Sequence, residues 1–363
     1  MSFVPVNQKY EKWLRRKCRV DEGALCQKHE RMTKDAFTFL RATFFRWAGQ
    51  IEDICKDLAT SPAVSSVGDL HLENFGTWRD REGRLVWGIN DFDEAAVIPY
   101  AFDLVRLAAS ACLAPGLTFQ RHHSAAILAG YRRGLKHPRP TLLDEDERWM
   151  RPFVACSDHE RNKFWRDIDH LLKAVPPDKA KEALEGSLPK GRRRVRFAAR
   201  VAGGGSLGRP RYVAIADWNG GQIVREAKAL VTSAWDWSHS RGDTKPRFLA
   251  LSTGRYRSPD PFLDVQGKWI VRRIAPDARK VDIGEDFEMK LVGPLFDAMG
   301  FDLGSVHAAD RSRAREIQAH LDGQEAVWLY DAARAAAAAV EADYREWCRE
   351  TKTVAIPSPA SPG

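Results

Sequence analysis

Residues 67–106 read VGDLHLENFGTWRDREGRLVWGINDFDEAAVIPYAFDLVR, and the rest of the chain is best understood by what it adds to this stretch. Five acids with chemical potential lie in it, Asp69, Glu73, Asp91, Asp93 and Asp103, together with His71 and Asn74. Between two polar clusters runs a hairpin pattern. Residues 74–78 read as one strand, 79–84 as a charged turn holding Gly83, and 85–90 as the second strand. A short hairpin of this kind brings Asp69, Asn74 and Asp91 to the same end of the ribbon. An Asp-x-x-x-x-Asn pair followed, across a hairpin, by Asp-Phe suits phosphoryl transfer. In that chemistry one Asp orients an acceptor hydroxyl and takes its proton, while the Asn and the second Asp hold magnesium against nucleotide phosphates. Magnesium takes few oxygen ligands from protein, so one amide and one carboxylate suffice.

The same residues carry a resemblance. GDLHLEN resembles the catalytic loop of aminoglycoside phosphotransferases, choline kinases and, more distantly, protein kinases. INDFDEA resembles their metal-binding Asp segment, and YAFDLVRLA the Asp-containing helix start that follows it. A closer likeness is to an uncharacterised bacterial family, the domain of unknown function 2252 family. Its GDxHxxNFG, DFDEA and DLxRLAxS motifs are matched by residues 68–76, 91–95 and 103–110. The resemblance implies that Asp69 is the catalytic base, with His71 beside it as a second candidate, and that Asn74 and Asp91 are magnesium ligands. Asp93 is read as a second metal ligand or a helix cap. One departure is that Val67 stands where the phosphotransferases usually have His.

A second informative stretch is residues 195–230, VRFAARVAGGGSLGRPRYVAIADWNGGQIVREAKAL. Gly203, Gly205 and Gly208 form GxGxxG with Ser206 inside it. In a dinucleotide-binding unit that pattern opens a helix. Here Pro210 and the alternating RYVAIADW follow, so strand–loop–strand is expected, the arrangement of a glycine-rich loop covering nucleotide phosphates. Strands are expected at 196–201, 211–218 and 222–226, with Asn219-Gly220-Gly221 as a tight turn. The segment resembles the family's GxGSxG and VKEA motifs, with Arg225 in the Lys position and Lys228 three residues later as the other phosphate-neutralising candidate. WIVRRIAP resembles the family's YVRQLRD segment, and that resemblance implies Arg272 or Arg273 as a further phosphate contact.

Composition bounds the rest. The chain has 363 residues with 44% hydrophobic, enough for two lobes. No run of about 18 uncharged apolar residues exists, and the first residues lack a signal-peptide core, so a cytoplasmic protein without a membrane partner is expected. Six scattered Cys without a CxxC pair read as reduced thiols. With 57 Lys and Arg against 49 acids, nucleic-acid binding has to be weighed, but so modest an excess also fits a protein that handles nucleotide phosphates. The densest basic run, KGRRRVR at 190–196, has a solvated surface as its default.

The expected architecture is α+β, a protein kinase-like two-lobe fold. Residues 1–190 form a helical lobe with the catalytic loop and metal-binding hairpin, and 191–280 a small antiparallel sheet lobe with the glycine-rich loop. C-terminal helices occupy 281–350 and a disordered tail 351–363. Helices are expected at 35–58, 118–136, 160–174, 229–239, 286–299, 309–321 and 325–350, and strands at 247–251 and 268–274. The glycine loop follows the catalytic Asp by more than 130 residues, the reverse of the kinase order, which implies a circular permutation. On a helix begun near Asp103, Arg106 and Ser110 share its face, so Asp103 is placed to hold the catalytic loop through its backbone. Three functions are open: an ATP- and magnesium-dependent phosphotransferase acting on a small-molecule or protein hydroxyl; a non-catalytic nucleotide or nucleic-acid binder; and a metal-dependent phosphoesterase using Asp69-x-His71 and Asp91-x-Asp93.

Overall fold

The protein is described here by a computed structural model covering residues 2–242, 244–281 and 288–354. Its centre is the helix Tyr100–Leu113, apolar nearly all round and buried along nearly its whole length. A helix with no polar face belongs inside a core. Around it pack the helices Phe3–Lys17, Arg121–Lys136, Val292–His307 and Trp328–Val354. Among the described residues ten strands form three antiparallel sheets. β1 (Ala63–Ser66) pairs with β4 (Ala96–Pro99). β2 (Phe75–Arg79), β3 (Leu85–Ile89) and β5 (Thr141–Leu142) form a second sheet. The largest has the order β6-β7-β8-β10-β9, built from β6 (Arg193–Ala199), β7 (Arg211–Trp218), β8 (Gly221–Ala229), β9 (Asp264–Gln266) and β10 (Trp269–Arg273).

That five-stranded sheet is covered on both faces. Val213, Ile215 and Val224 pack with Ile168, whereas Ala214, Ala216 and Ala227 pack with Leu184 and Leu188. Alternate residues of β7 are thus apolar on both sides, which is why RYVAIADW reads as an almost continuous apolar run. The fold is α+β with small antiparallel sheets, as the sequence leads one to expect. The turn after β7 is also as read, with Asn219 and Gly220 both at positive φ (47° and 85°), the mirror-image turn that matches strand twist.

Several expected elements differ. The helix read over 35–58 is three short helices, Ala36–Ala42, Phe44–Ala48 and Ile51–Ile54. Thr43 breaks it by turning its hydroxyl back onto the Phe39 carbonyl at 2.7 Å. Residues 247–251, read as a strand, lie in the helix Phe248–Ser252, whose Phe248 and Leu251 reach the core at helical spacing. Of 229–239 only Ala234–Ser238 is helical, because Ala229 still pairs in β8. The segment after β8 leaves the sheet: Leu230, Trp235 and Phe248, inside the sequence-drawn sheet lobe, belong to the main core. The last helix runs on to Val354, into the segment read as tail, and 355–363 lie outside the described residues. So do residues 286 and 287, where a helix was expected to start; that helix is observed as Val292–His307.

Two helices meet unusually closely. Gly130 and Gly134 on Arg121–Lys136 face Gly300 and Gly304 on Val292–His307, and a β-carbon added at Gly130 or Gly300 would lie 1.8 or 2.0 Å from a backbone oxygen of the other helix. This contact seats Val292–His307, which then supports the hairpin. Its buried Asp302 accepts from the Ile89 amide at 2.7 Å and from Arg257, and its His307 reaches Asp103 at 3.2 Å. Gly300→Ala should therefore force the helices apart and lower unfolding stability by about 1–3 kcal/mol, the usual cost of overpacking, seen as a lower denaturant midpoint. An unchanged midpoint would mean that the two helices have room the structure does not show.

Candidate active site

Three polar residues interrupt the buried face of helix Tyr100–Leu113, and each one is taken up by the loop that precedes β2. Asp103 accepts from the amides of Val67 and Gly68 at 2.7 and 2.9 Å. Ser110 accepts from the Leu72 amide at 3.1 Å. Arg106 donates to Asp69 Oδ1 through Nε at 3.0 Å and again through Nη2, and to the Leu40 carbonyl at 2.9 Å. Its guanidinium lies against the stacked rings of Phe44 and Trp47, 4.9 and 5.1 Å from their centroids. Buried polar groups need partners, so positions 103, 106 and 110, one helical face, fix the loop 67–72 from below.

The hairpin does what its spacing implied. Phe75 pairs with Ile89, and Asn74 sits where the two ends meet. Its Nδ2 donates to the Asp69 and Asp91 carbonyls at 3.0 and 3.1 Å. Asn74 Oδ1 is buried without a hydrogen-bond partner. Asp91 is the exposed acid of the group, 40% at its side chain, and takes Lys228 Nζ at 3.2 Å. Asp93 is buried, paired with the same Lys228, and lies 3.7 Å from Arg209.

A cleft of about 640 Å³ opens over these residues. Asp69, His71, Asn74, Asp91 and Asp93 line one side, and Gly203, Gly205 and Ser206 the other. The approach is intimate: a β-carbon at Gly205 would stand 2.5 Å from the Arg41 carbonyl oxygen and 3.1 Å from Asp69 Oδ2. Glycine is the only residue that fits there. Gly208 is buried on the side away from the cleft, against Leu25 and Val20, and does not line it.

Strand period decides which cation of β8 turns toward the acids of the cleft. Residues 226 and 228 share a face with Arg211 of β7 and Arg272 of β10, while 225 points to the other side. The structure therefore brings Lys228 to Asp91 and leaves Arg225, the residue the sequence reading set in the Lys position, stacked on Phe262 with its centre 3.9 Å from the ring. Of the pair 272 and 273, Arg272 joins the buried Glu226, and Arg273 pairs with Asp260 at 2.9 Å. Arg41 spans Glu73 with two 2.9 Å contacts. The basic run at 190–196 lies on and beside β6, away from the cleft; Arg196 pairs with Asp169 there.

Electrostatics sorts the acids. Burial pushes Asp69 above the usual carboxylate range, with Arg106 pulling the other way. Burial also acts to raise Asp91, but Lys228, Arg272 and Arg211 outweigh it and bring that carboxyl down to about 2. Burial, reinforced by Arg41 and Lys280, holds His71 well below its ordinary value, so it is neutral, and its Nδ1 has no partner. Asp91 is thus a fixed anion. Asp69 is the more basic oxygen, with Oδ1 committed to Arg106 and Oδ2 on the glycine side. An amide oxygen and an ionised carboxylate form a hard-oxygen donor set that fits magnesium. Among the described residues no three His, Cys, Asp or Glu side chains converge as a metal set.

Arg106→Met should leave Asp69 without its ion-pair partner, at a cost of about 3–5 kcal/mol near neutral pH. The loss has a sign in pH. A carboxyl whose folded pKa lies above its unfolded value of about 3.9 holds its proton more tightly when folded, so stability falls as pH rises through that window. Denaturant unfolding at pH 4.5 and pH 8 should therefore show the variant further below wild type at pH 8. Equal losses at both pH values would contradict the pairing.

The sequence found the acids and the glycine turn but missed Arg200, Arg211 and Glu226, which converge from three separate segments. Among the described residues no helix is long and apolar enough to cross a membrane, and all six Cys are free. No curated protein and no solved structure matches the chain. Residues 19–136, which carry Asp69, Asn74, Asp91 and the helix that braces them but not the glycine turn or Lys228, match the family described as uncharacterized protein conserved in bacteria, the domain of unknown function 2252 family that GDLHLENFG, DFDEA and DLVRLAAS resemble.

Proposed function

We propose that the protein is an ATP- and magnesium-dependent phosphotransferase with a kinase-like, circularly permuted arrangement of its parts. The observation that carries this reading is the meeting of two sequence-distant segments in one cleft. Asp69, Asn74 and Asp91 stand on the helical side, and Gly203–Ser206 with Lys228 on the sheet side. Asp69 Oδ2 receives the proton of an acceptor hydroxyl. Arg106 fixes that carboxylate in orientation without covering Oδ2. Asn74 Oδ1 and Asp91 would hold magnesium, which when bound neutralises nucleotide phosphate charge. The glycine turn lets phosphates approach the backbone beside Asp69, and Lys228 supplies positive charge. Neutral His71 offers an uncommitted nitrogen for orienting the acceptor. Permutation leaves such a site intact, because chemistry depends on where side chains meet.

One observation favours a second reading. Lys228 already pairs with both Asp91 and Asp93, so these carboxylates are balanced by an ammonium, as suits a nucleotide binder that transfers nothing. The two-metal phosphoesterase reading draws no support from the donor geometry.

A thermal-shift screen of nucleotides with and without magnesium separates these readings. Under the first, ATP stabilises the protein chiefly with magnesium, and Asp91→Ala abolishes that magnesium-dependent part while the variant stays folded. Unchanged magnesium-dependent binding in Asp91→Ala would sink it. Asp69→Asn should keep nucleotide binding and lower ATP turnover by roughly 10²–10⁴-fold, the usual share of a general base. A nucleotide shift indifferent to magnesium, with no turnover, supports the second reading.

A further inference from the structure

The cleft contains a cluster that the reading above does not use. Glu226 is fully buried on β8 and receives three guanidinium groups: Arg200, Arg211 Nη1 at 3.3 Å, and Arg272 Nε at 2.8 Å. One carboxylate cannot neutralise three cations. Counting Lys228, Asp91 and Asp93 with them still leaves four cations against three carboxylates. Arg200, Arg211 and Arg272 all line the cleft. Arg211 is itself only 4% exposed at its side chain, yet its Nε has no hydrogen-bond partner, and its Nη2 donates to Ser206 Oγ at 2.6 Å, so the glycine turn rests directly on it. Charges of one sign, one buried and two partly exposed to the cleft, aligned by a central acid and short of acceptors, are a preformed anion cradle. Arginine suits it, because a planar fork matches phosphate oxygens two at a time.

We propose that Arg200, Arg211 and Arg272, held in register by Glu226, form a polyphosphate-binding site that works without a divalent metal. The ligand class is a chain of two or more phosphates, either those of a nucleoside triphosphate or an inorganic polyphosphate. The site deepens the phosphotransferase reading by assigning the wall on which the phosphates lie, and it rests on the cleft of that reading but not on the transfer step. Glu226 orders the three arginines and is not a ligand contact.

The test titrates the full chain with sodium tripolyphosphate in EDTA, read by calorimetry. Saturable binding is expected, weakened at least tenfold in both Arg272→Met and Arg200→Met, the two less buried members, each first checked for a cooperative melt. Arg194→Met, on the exposed basic run, should bind as wild type does. ATP in EDTA should displace tripolyphosphate and adenosine should not, which identifies nucleotide phosphates as the source. Tripolyphosphate binding that needs both arginines but resists ATP keeps the site and makes inorganic polyphosphate its ligand. No saturable binding by wild type, or arginine variants that bind unchanged, overturns the proposal. Failure of the phosphotransferase reading is seen separately, in Asp91→Ala with ATP and magnesium, and leaves the arginine result standing.

Discussion

Arg106 has no water to turn to. Its side chain is fully buried against Phe44 and Trp47, and an unpaired charge in such a place costs several kcal/mol. Asp69 must therefore present an oxygen to it, and the Leu40 carbonyl another. The same reasoning applies one turn away on either side, where Asp103 and Ser110 would be buried polar groups without the amides of the loop. Core and candidate site are thus one structure. The loop 67–72 owes its shape less to its own turn chemistry than to three polar residues set into an apolar helix. The consequence for chemistry is a carboxylate with one oxygen fixed and the other presented to the cleft, which is the preorganisation a proton-accepting group needs.

Across one part of the cleft, acids of the helical body face cations of the sheet side. Asp91, Asp93 and Glu94 come from the helical body, and Lys228, Arg209 and Arg211 from the sheet and the loop before it. Lys228 reaches Asp91 and Asp93, and Arg209 reaches Glu94 while lying near Asp93. These pairs are largely buried, so they attract strongly but also leave large desolvation penalties if one partner is withdrawn. A cation arriving at Asp91 has to compete with Lys228, and an anion arriving near Arg211 relieves crowding among guanidiniums. Under the proposed reading, metal and phosphate binding would be coupled through Lys228, because an anion that draws the ammonium toward itself frees Asp91 and Asp93 for a cation.

How much of this was legible follows from range. The hairpin could be read because its register is local: Gly83, the alternating strands and the spacing from Asn74 to Asp91 all lie within 20 residues. The i, i+3, i+7 set of Asp103, Arg106 and Ser110 was legible for the same reason, since one helical period states which residues share a face. Lys228 against Arg225 was not decided by likeness to a motif. A strand shows alternate residues to alternate sides, and only the pairing of Glu226 with Arg272 and of Lys228 with Arg211 says which side is the cleft. The arginine cluster was invisible because Arg200, Arg211, Glu226 and Arg272 meet only after three strands pair. The Gly130–Gly300 contact is present in the sequence as two small-xxx-small patterns, but nothing local says that the two helices face each other.

Chain order matters less than anchoring. The glycine turn is tied at both ends to the helix Glu22–Arg31 and its cap: the Asp21 amide donates to the Gly208 carbonyl at 2.9 Å, and Arg31 to that of Gly203 at 3.2 Å. With Gly205 seated against Arg41 and Asp69, the turn is a wall and not a free flap, whichever lobe is written first. Ligands then have to reach Asp69 from the opposite rim, between helix Asp158–Asp169 and residues 275–280. That rim is crossed by the ion pair of Arg279 with Glu160, each about one third exposed at its side chain. A pair so open to solvent contributes roughly 0–1 kcal/mol, far less than the buried pairs on the closed side. The resistance to opening is therefore unequal around the cleft, and its weakest part lies over the side where Glu73, Lys280 and His71 stand with Asp69.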